Sequence, residues 1–266
     1  MRSAMSDRVT VERDGHVLLI GVNRPAKRNA WDLATISAVG AAYDRLADDP
    51  EVRVGVLFGH GPHFSAGLDL ADVLPAVVER GPDALSGDSR HDPFGLWKPP
   101  VDKPVVLAVQ GIAFTLSIEL ALASDIVVAA EDVRFRQLEV GRGILPFGGA
   151  TLRAPAQLGW GNAMRFLLTG EEFGAAEAHR IGLVQEVVPV GAHLDRAREL
   201  ARLIAAQAPL GVRGTLANAR VALRAGSEQA AAEHLRGLLP GIVASADAAE
   251  GLRSFVERRD ARFTGQ

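Results

Sequence analysis

Short apolar runs alternate with amphipathic segments along the first two thirds of the chain. The run Val17-Leu18-Leu19-Ile20-Gly21-Val22 is rich in branched apolar residues and ends at a turn, as does the run 52–58, so both are predicted to be buried strands. A helix is predicted between them, because Asp32 is a suitable N-cap residue and apolar residues follow it at helical spacing. That apolar face consists of Ile36, Val39, Tyr43 and Leu46.

The same alternation continues and then stops. Strands are predicted at 104–109, 125–129 and 187–188, with a helix at 115–124. Such alternation favours an α/β fold with crossover connections between strands. Only helical patterns follow residue 192, so the sequence predicts an α/β core over residues 1–191 and a helical C-terminal region over residues 192–266.

Residues 71–103 lack a readable periodicity. Prolines and glycines interrupt this stretch from Pro75 to Pro100. A loop of this length inside a compact domain is typical of a lid or a binding loop. We therefore predict an irregular, mobile flap here.

The composition is that of an ordinary globular protein, and it excludes several chemistries. The 266 residues are 48% hydrophobic and 23% charged, with a net charge of −3, which allows a sizeable core. Cysteine is absent, which excludes a thiolate nucleophile and cysteine-ligated metal sites. Basic residues are scattered, which argues against a nucleic-acid partner. No apolar run is long enough to cross a membrane and residues 1–12 contain no apolar leader, so a cytoplasmic protein without a membrane partner is expected.

The histidines do not suggest a metal centre. His60, His63 and His91 lack the spacing of metal ligands relative to one another or to a carboxylate. No metal site is therefore expected.

Glu119 is the first candidate for chemistry. It lies inside the predicted helix 115–124, which is apolar on every face and contains no Lys or Arg. A buried carboxylate is rare unless it is paired or functional, and burial raises its pKa toward the range that suits a general acid or base. The alternative is a structural role, at a helix end that reaches solvent or in a pair with an arginine from elsewhere in the chain.

Glu139 is a second candidate with a weaker local pattern. It lies close in sequence to Arg134, Arg136 and Arg142, so the local sequence alone favours a salt-bridged surface glutamate. Only a partnership with Glu119 favours a catalytic role.

The segment 59–70 is rich in small residues and follows a predicted strand. It matches neither a phosphate-binding loop nor a dinucleotide fingerprint nor a nucleophile elbow. What remains is a tight turn whose backbone N–H groups can face an anion. A purely structural glycine turn explains the pattern equally well.

The order and spacing of several motifs resemble the crotonase, or enoyl-CoA hydratase/isomerase, superfamily over nearly the whole chain. The motifs are Asn23-Arg24-Pro25 with Asn29-Ala30, Phe64-Ser65-Ala66-Gly67-Leu68-Asp69-Leu70, Glu119-Leu120-Ala121 before Ser124-Asp125-Ile126, Phe135 with Gln137 and Glu139, Leu168-Thr169-Gly170, Gly182-Leu183-Val184 before Val187-Val188-Pro189, and Phe255-Val256-Glu257-Arg258-Arg259. The resemblance implies a crotonase-like α/β spiral of ββα units followed by a helical C-terminal region used for assembly, as a homotrimer or homohexamer.

The resemblance also implies a chemistry. In this superfamily two backbone N–H groups hold the thioester oxygen of an acyl-CoA while an enolate forms, and by position these donors are those of Leu68 and Leu116. Glu119 and Glu139 fall on the positions of the acid–base pair that adds water to a 2-enoyl-CoA. The implied contacts with substrate or CoA are Ala26, Lys27, Arg28, Ala66, Asp69, Phe255 and Arg258, the last two toward the CoA of a neighbouring subunit. Coenzyme A is part of the substrate, and no separate cofactor is implied.

The chain departs from the superfamily pattern in ways that leave the substrate open. Thr115-Leu116-Ser117 stands where a glycine triplet is usual, Ala71 stands where a lysine is often found, and the segment 145–149 is slightly short. An isomerase, a hydrolase or a carbon–carbon lyase on the same oxyanion site is an alternative, as is a non-catalytic acyl-CoA-binding subunit. The presence of both glutamates argues against the non-catalytic subunit, and hydration of a 2-enoyl-CoA is the first hypothesis.

Overall fold

The computed structural model describes residues 7–266, in which nine strands form two sheets. The larger sheet has the order β1-β2-β3-β4-β6-β9 and the smaller one the order β5-β7-β8. The strands are β1 (Val9–Asp14), β2 (Val17–Val22), β3 (Val54–Gly59), β4 (Val105–Val109), β5 (Ile112–Phe114), β6 (Ile126–Ala130), β7 (Arg134–Arg136), β8 (Glu172–Gly174) and β9 (Glu186–Val188).

Ten α-helices surround these sheets within the described residues. They are α1 (Leu33–Asp48), α2 (Leu70–Arg80), α3 (Leu116–Ala123), α4 (Ala150–Leu158), α5 (Trp160–Thr169), α6 (Ala175–Arg180), α7 (His193–Ala205), α8 (Pro209–Ala225), α9 (Glu228–Val243) and α10 (Ala246–Glu257). Among residues 7–266, no helix combines the length and the apolar character that crossing a membrane requires.

The larger sheet is buried on both faces, which explains its uninterrupted apolar strands. From β2 onward, each strand pairs in parallel with its neighbour, and β2, β3 and β4 are buried along their whole length. One face packs against α7 through Ala197, Ala201 and Ala205. The opposite face meets the main core, in which Trp31 and Phe64 are fully buried.

The structure confirms the α/β architecture and the predicted elements around it. The predicted strands and helices agree with the observed elements to within one or two residues, and β9 is the last strand of the described chain. Asp32 caps α1 as predicted, since its Oδ1 accepts a hydrogen bond from the backbone N–H of Thr35 at 2.9 Å.

The prediction of an irregular flap is wrong for residues 71–85, whereas residues 86–103 form neither helix nor strand. Its first part belongs to α2, followed by a 3₁₀ turn at Gly81–Leu85. Pro75 removes one hydrogen bond of α2, but Val73 and Ala76 bury one face of the helix and stabilise it. Farther along, the buried carboxylate of Asp92 accepts hydrogen bonds from the backbone N–H groups of Phe94, Leu96 and Trp97.

Candidate active site

A cavity of about 190 Å³ lies where α3, the turn after β3 and a 3₁₀ turn at Glu139–Arg142 meet. Its wall contains both candidate glutamates, together with Leu68, Leu116, Thr115 and Arg142. Apolar side chains complete the wall, namely Leu70, Leu138, Ile144 and Phe147. The structure therefore brings together the four residues to which the family resemblance assigns the reaction.

Glu119 is buried at the start of α3, a helix with seven of its eight residues buried. Its side-chain Oε1 accepts hydrogen bonds from the backbone N–H groups of Gly148 at 2.7 Å and Ala150 at 3.3 Å. Burial raises the pKa of Glu119 to about 7, although these hydrogen bonds and the charge of Arg153 oppose the shift. The carboxyl group can therefore both hold and release a proton near neutral pH.

Glu139 is also buried, and the interpretation as a salt-bridged surface residue is wrong. Its Oε1 accepts a hydrogen bond from Gln137 Nε2 at 3.1 Å, and its buried Oε2 has no partner among residues 7–266. Arg134 pairs instead with Glu172, and Arg136 donates to the carbonyl of Gly170. Burial, and then the charge of Glu119, raise the pKa of Glu139 to about 7.

The two carboxyl groups are electrostatically coupled. They line the same cavity, and ionisation of Glu119 disfavours ionisation of Glu139. Near neutral pH the pair can hold one proton, with one carboxylic acid and one carboxylate facing the same space. Such a pair can remove a proton from one atom and deliver a proton to another.

Two residues of the cavity wall have backbone N–H groups without a partner among the described residues. Within residues 7–266, the N–H groups of Leu68 and Leu116 donate to no other backbone or side-chain atom. Leu116 is the first residue of α3, where helix geometry leaves N–H groups free and the helix dipole favours negative charge. The arrangement suits an oxygen atom that gains negative charge during a reaction.

Hydrogen bonds between β5 and the turn after β3 fix the N–H groups of Leu68 and Leu116 relative to each other. The N–H of Ser65 donates to the carbonyl of Ile112 at 3.0 Å, and the N–H of Phe114 donates to the carbonyl of Ser65 at 2.9 Å. The turn carries Leu68, and β5 leads directly into α3. Gly67, with a φ of 106°, makes the sharp turn before Leu68 and lies against the Thr115 side chain, so a residue with a Cβ atom does not fit there.

Thr115 is a strained residue beside the second donor. Its φ is 50° and its ψ is −108°, which is unfavourable for a β-branched residue. This is where the glycine triplet is replaced, so the backbone keeps a conformation that suits glycine although threonine occupies the position.

The residues predicted to bind CoA occupy different parts of the molecule. Ala26 and Lys27 lie on an exposed 3₁₀ turn, Arg28 follows it, and Ala66 lines the cavity. Asp69 does not line the cavity, because its carboxylate pairs with Arg24 at 2.8 Å. In α10 and its C-cap, Phe255 is 81% exposed and Arg258 is exposed, both outside the cavity.

Sequence reasoning missed two residues of the site. Gly148 has no room for a side chain, because a Cβ atom there would lie 2.8 Å from Cδ of Glu119. Arg142 lines the cavity and was considered only as a partner for Glu139. The glycine pair before α4 is the sequence signal for Gly148. Arg142 has no clear signal, because an arginine close to other arginines is typical of a protein surface.

Comparisons with known proteins identify the family of this chain. The model of the enoyl-CoA hydratase/isomerase family matches residues 12–266. The chain is 38% identical to a carnitinyl-CoA dehydratase of Salmonella paratyphi A, over 98% of this chain and 100% of that protein.

Two solved structures have the same fold. A probable enoyl-CoA hydratase/isomerase from Mycobacterium abscessus is 49% identical with a TM-score of 0.91, covering 97% of this chain and 99% of that one. An enoyl-CoA hydratase from Mycobacterium tuberculosis is 35% identical with a TM-score of 0.88, covering 98% of this chain and 100% of that one. With this fold, and with the family model matching almost from end to end, the chain belongs to the enoyl-CoA hydratase/isomerase family.

Proposed function

We propose that this protein is an acyl-CoA lyase that adds water across the double bond of a 2-enoyl-CoA and catalyses the reverse dehydration. The observation that carries the proposal is the buried pair Glu119 and Glu139, both with a pKa raised to about 7, beside two free backbone N–H groups. Family membership and the relatives named as hydratases and a dehydratase support it.

The chemistry follows from the positions of these groups. The thioester oxygen accepts hydrogen bonds from the N–H groups of Leu68 and Leu116, which stabilise the enolate. The carboxylate of the pair removes a proton from water as the water oxygen bonds to C3 of the acyl group. The π electrons of the double bond move toward the thioester, and the protonated carboxyl group delivers its proton to C2. One oxyanion donor is worth roughly 3 kcal/mol of barrier.

The proposal extends to substrate binding and assembly. Lys27 and Arg28 carry exposed positive charge on one turn, which suits the phosphates of CoA, and Ala26 accompanies them. We place Phe255 and Arg258 against the CoA of a neighbouring copy in a homotrimer or homohexamer, since both are exposed and outside the cavity of their own chain. The enzyme would act in the cytoplasm.

An isomerase that moves the double bond is the second candidate. The family description includes isomerases, and a carboxyl pair that takes and returns protons can serve either reaction. A non-catalytic binding subunit is disfavoured, because burying two carboxyl groups in one cavity lowers the stability of the fold. Catalysis explains their presence, whereas binding alone does not.

Product analysis tests the proposal. Short, branched, aromatic and long 2-enoyl-CoAs are incubated with the enzyme, and loss of the conjugated thioester is followed by absorbance and mass spectrometry. A product heavier by one water supports the hydratase. A product of unchanged mass with a moved double bond supports the isomerase, and binding without conversion of any ester contradicts both.

A further inference from the structure

The cavity contains one fixed positive charge that the proposed reaction does not use. Arg142 is the basic residue of the cavity wall, and it is exposed. Within the described part of the chain it forms no hydrogen bond or ion pair. Neighbouring arginines are engaged: Arg134 with Glu172, and Arg153 with the carbonyl of Phe94.

The local backbone places Arg142 beside the catalytic pair. Glu139 and Arg142 are the first and last residues of one 3₁₀ turn, and residues three apart on such a turn lie on the same face. They form no ion pair with each other, and Glu139 Oε2 stays unpaired. The guanidinium group therefore remains available to a ligand.

The rest of the wall limits what that ligand is. Its other side chains are apolar apart from Thr115 and the two glutamates, and the cavity of about 190 Å³ is smaller than the roughly 300–1,000 Å³ of sites for drug-sized ligands. A short acyl group fits this space. A guanidinium group binds a carboxylate through two parallel hydrogen bonds.

We propose that Arg142 selects short 2-enoyl thioesters whose acyl group ends in a carboxylate. The carboxylate pairs with the guanidinium group while the double bond lies between Glu119 and Glu139. A quaternary ammonium, as in a carnitinyl group, is disfavoured by the same charge, and Phe147 is the single aromatic side chain of the cavity wall, too few for a cation cage. This inference rests on the proposed function for the reaction but names the substrate class.

The test compares a charged acyl group with a neutral one of the same shape. The kcat/KM is measured for glutaconyl-CoA, its ω-carboxamide and crotonyl-CoA with the wild type, Arg142→Gln and Arg45→Gln, an exposed arginine outside the cavity. The wild type and Arg45→Gln are expected to prefer glutaconyl-CoA over the amide by at least ~10-fold, as for a charge-assisted hydrogen bond. Arg142→Gln is expected to lose that preference, whereas Arg45→Gln is expected to keep both the preference and the wild-type rate with crotonyl-CoA. Equal rates for acid and amide in the wild type would overturn the proposal.

A second arm distinguishes the acyl carboxylate from the phosphates of CoA as the partner of Arg142. If Arg142 binds the phosphates, Arg142→Gln lowers the kcat/KM of all CoA esters equally and leaves that of crotonyl-pantetheine unchanged. That result would show that the proposal is wrong. The proposal instead predicts that the loss is confined to the carboxylate ester and persists with glutaconyl-pantetheine.

A binding measurement separates this inference from the proposed function. Glutaryl-CoA cannot be hydrated, and calorimetry is expected to show that it binds at least ~10-fold more tightly than its ω-carboxamide in the wild type but not in Arg142→Gln. If glutaryl-CoA is preferred but no enoyl ester is hydrated, the carboxylate-binding role of Arg142 is supported and the proposed hydratase activity is contradicted. Hydration of crotonyl-CoA without the preference would support the reaction and contradict the site.

Discussion

The α/β core and the C-terminal helices differ in how many of their side chains are buried. Seven of the eight residues of α3 are buried, including a glutamate, whereas none of the 17 residues of α8 is buried and only Ala231 is buried in α9. The core thus builds the cavity and the proposed acid–base pair within one chain. The C-terminal helices leave large apolar side chains exposed, at Leu223, Leu235, Leu239, Val243, Leu252, Phe255 and Val256. A second copy of the chain would cover such a surface.

A large loss of activity is expected from adding one carbon atom to the core. In Gly148→Ala, the new Cβ lies 2.8 Å from Cδ of Glu119, so the carboxyl group must move. A displaced catalytic group costs about 100-fold in rate, and steady-state kinetics with crotonyl-CoA measures it. Gly237→Ala in α9 is the matched control, because nothing lies within 4 Å of its added Cβ. Equal activity of the two variants would remove the distinction between core and C-terminal helices.

The pH dependence of stability is the next effect. The folded pKa of Glu119, about 7, is above its ordinary value of 4.5, so the folded state binds more protons and stability falls as the pH rises from about 4.5 to 7. Glu119→Gln removes this penalty, so relative to the wild type it should gain about 3 kcal/mol of unfolding free energy between pH 4.5 and pH 8.

Denaturant titrations at several pH values measure that gain, and Glu250→Gln in α10 is the control. Arg259 lowers the pKa of Glu250 to about 2, so Glu250 stabilises the fold above pH 4.5 and loses this effect only as the pH falls from 4.5 toward 2. Its substitution should not change the slope between pH 5 and pH 8. A slope for Glu119→Gln identical to that of the wild type would show that Glu119 is not held in a protonated form.

Assembly should depend on the C-terminal helices. Leu235 and Leu239 are four residues apart on one face of α9 and are 45% and 51% exposed. Replacing both by Glu is expected to weaken the proposed trimer or hexamer at least ~10-fold, or ~1.4 kcal/mol. Light scattering after size-exclusion chromatography measures the mass, with Val78→Glu in α2 as the control. A monomeric wild type would contradict the proposed assembly.

The smallest effect is the release of strain at Thr115, beside the proposed oxyanion donor Leu116. Thr115→Gly places glycine at a φ of 50°, which glycine adopts without steric strain because it has no Cβ atom. The substitution is expected to raise the unfolding free energy by about 1 kcal/mol. Thr115→Ala keeps the strain and should not be stabilised. Thermal or denaturant unfolding compares them, and a less stable Thr115→Gly would mean that the threonine contacts outweigh the strain.

The sequence predicts the elements whose patterns are local, but not β1 or the smaller sheet. The apolar runs of β2 and β4, the Asp32 cap and the all-apolar α3 are set by neighbouring residues. Helix α2 was missed because Pro75 hides its periodicity and its buried face depends on packing with distant segments.

The site was predictable only in part, for the same reason. Glu119 stands out locally, as a carboxylate in an apolar helix. Glu139 looks like a surface residue, and only the fold shows that Gln137 and the cavity wall enclose it. The lack of a partner for Arg142 is likewise evident only from the structure, which shows the partners of the neighbouring arginines.

The central claim is that Glu119 and Glu139 act together as one acid–base unit. The most direct test is the kcat/KM for hydration of crotonyl-CoA by Glu119→Gln, Glu139→Gln and the double variant, with folding checked by circular dichroism. Each single variant is expected to lose at least ~100-fold, and the double variant little more than either, because the two groups work on one water. A near-wild-type rate in either single variant would contradict the claim.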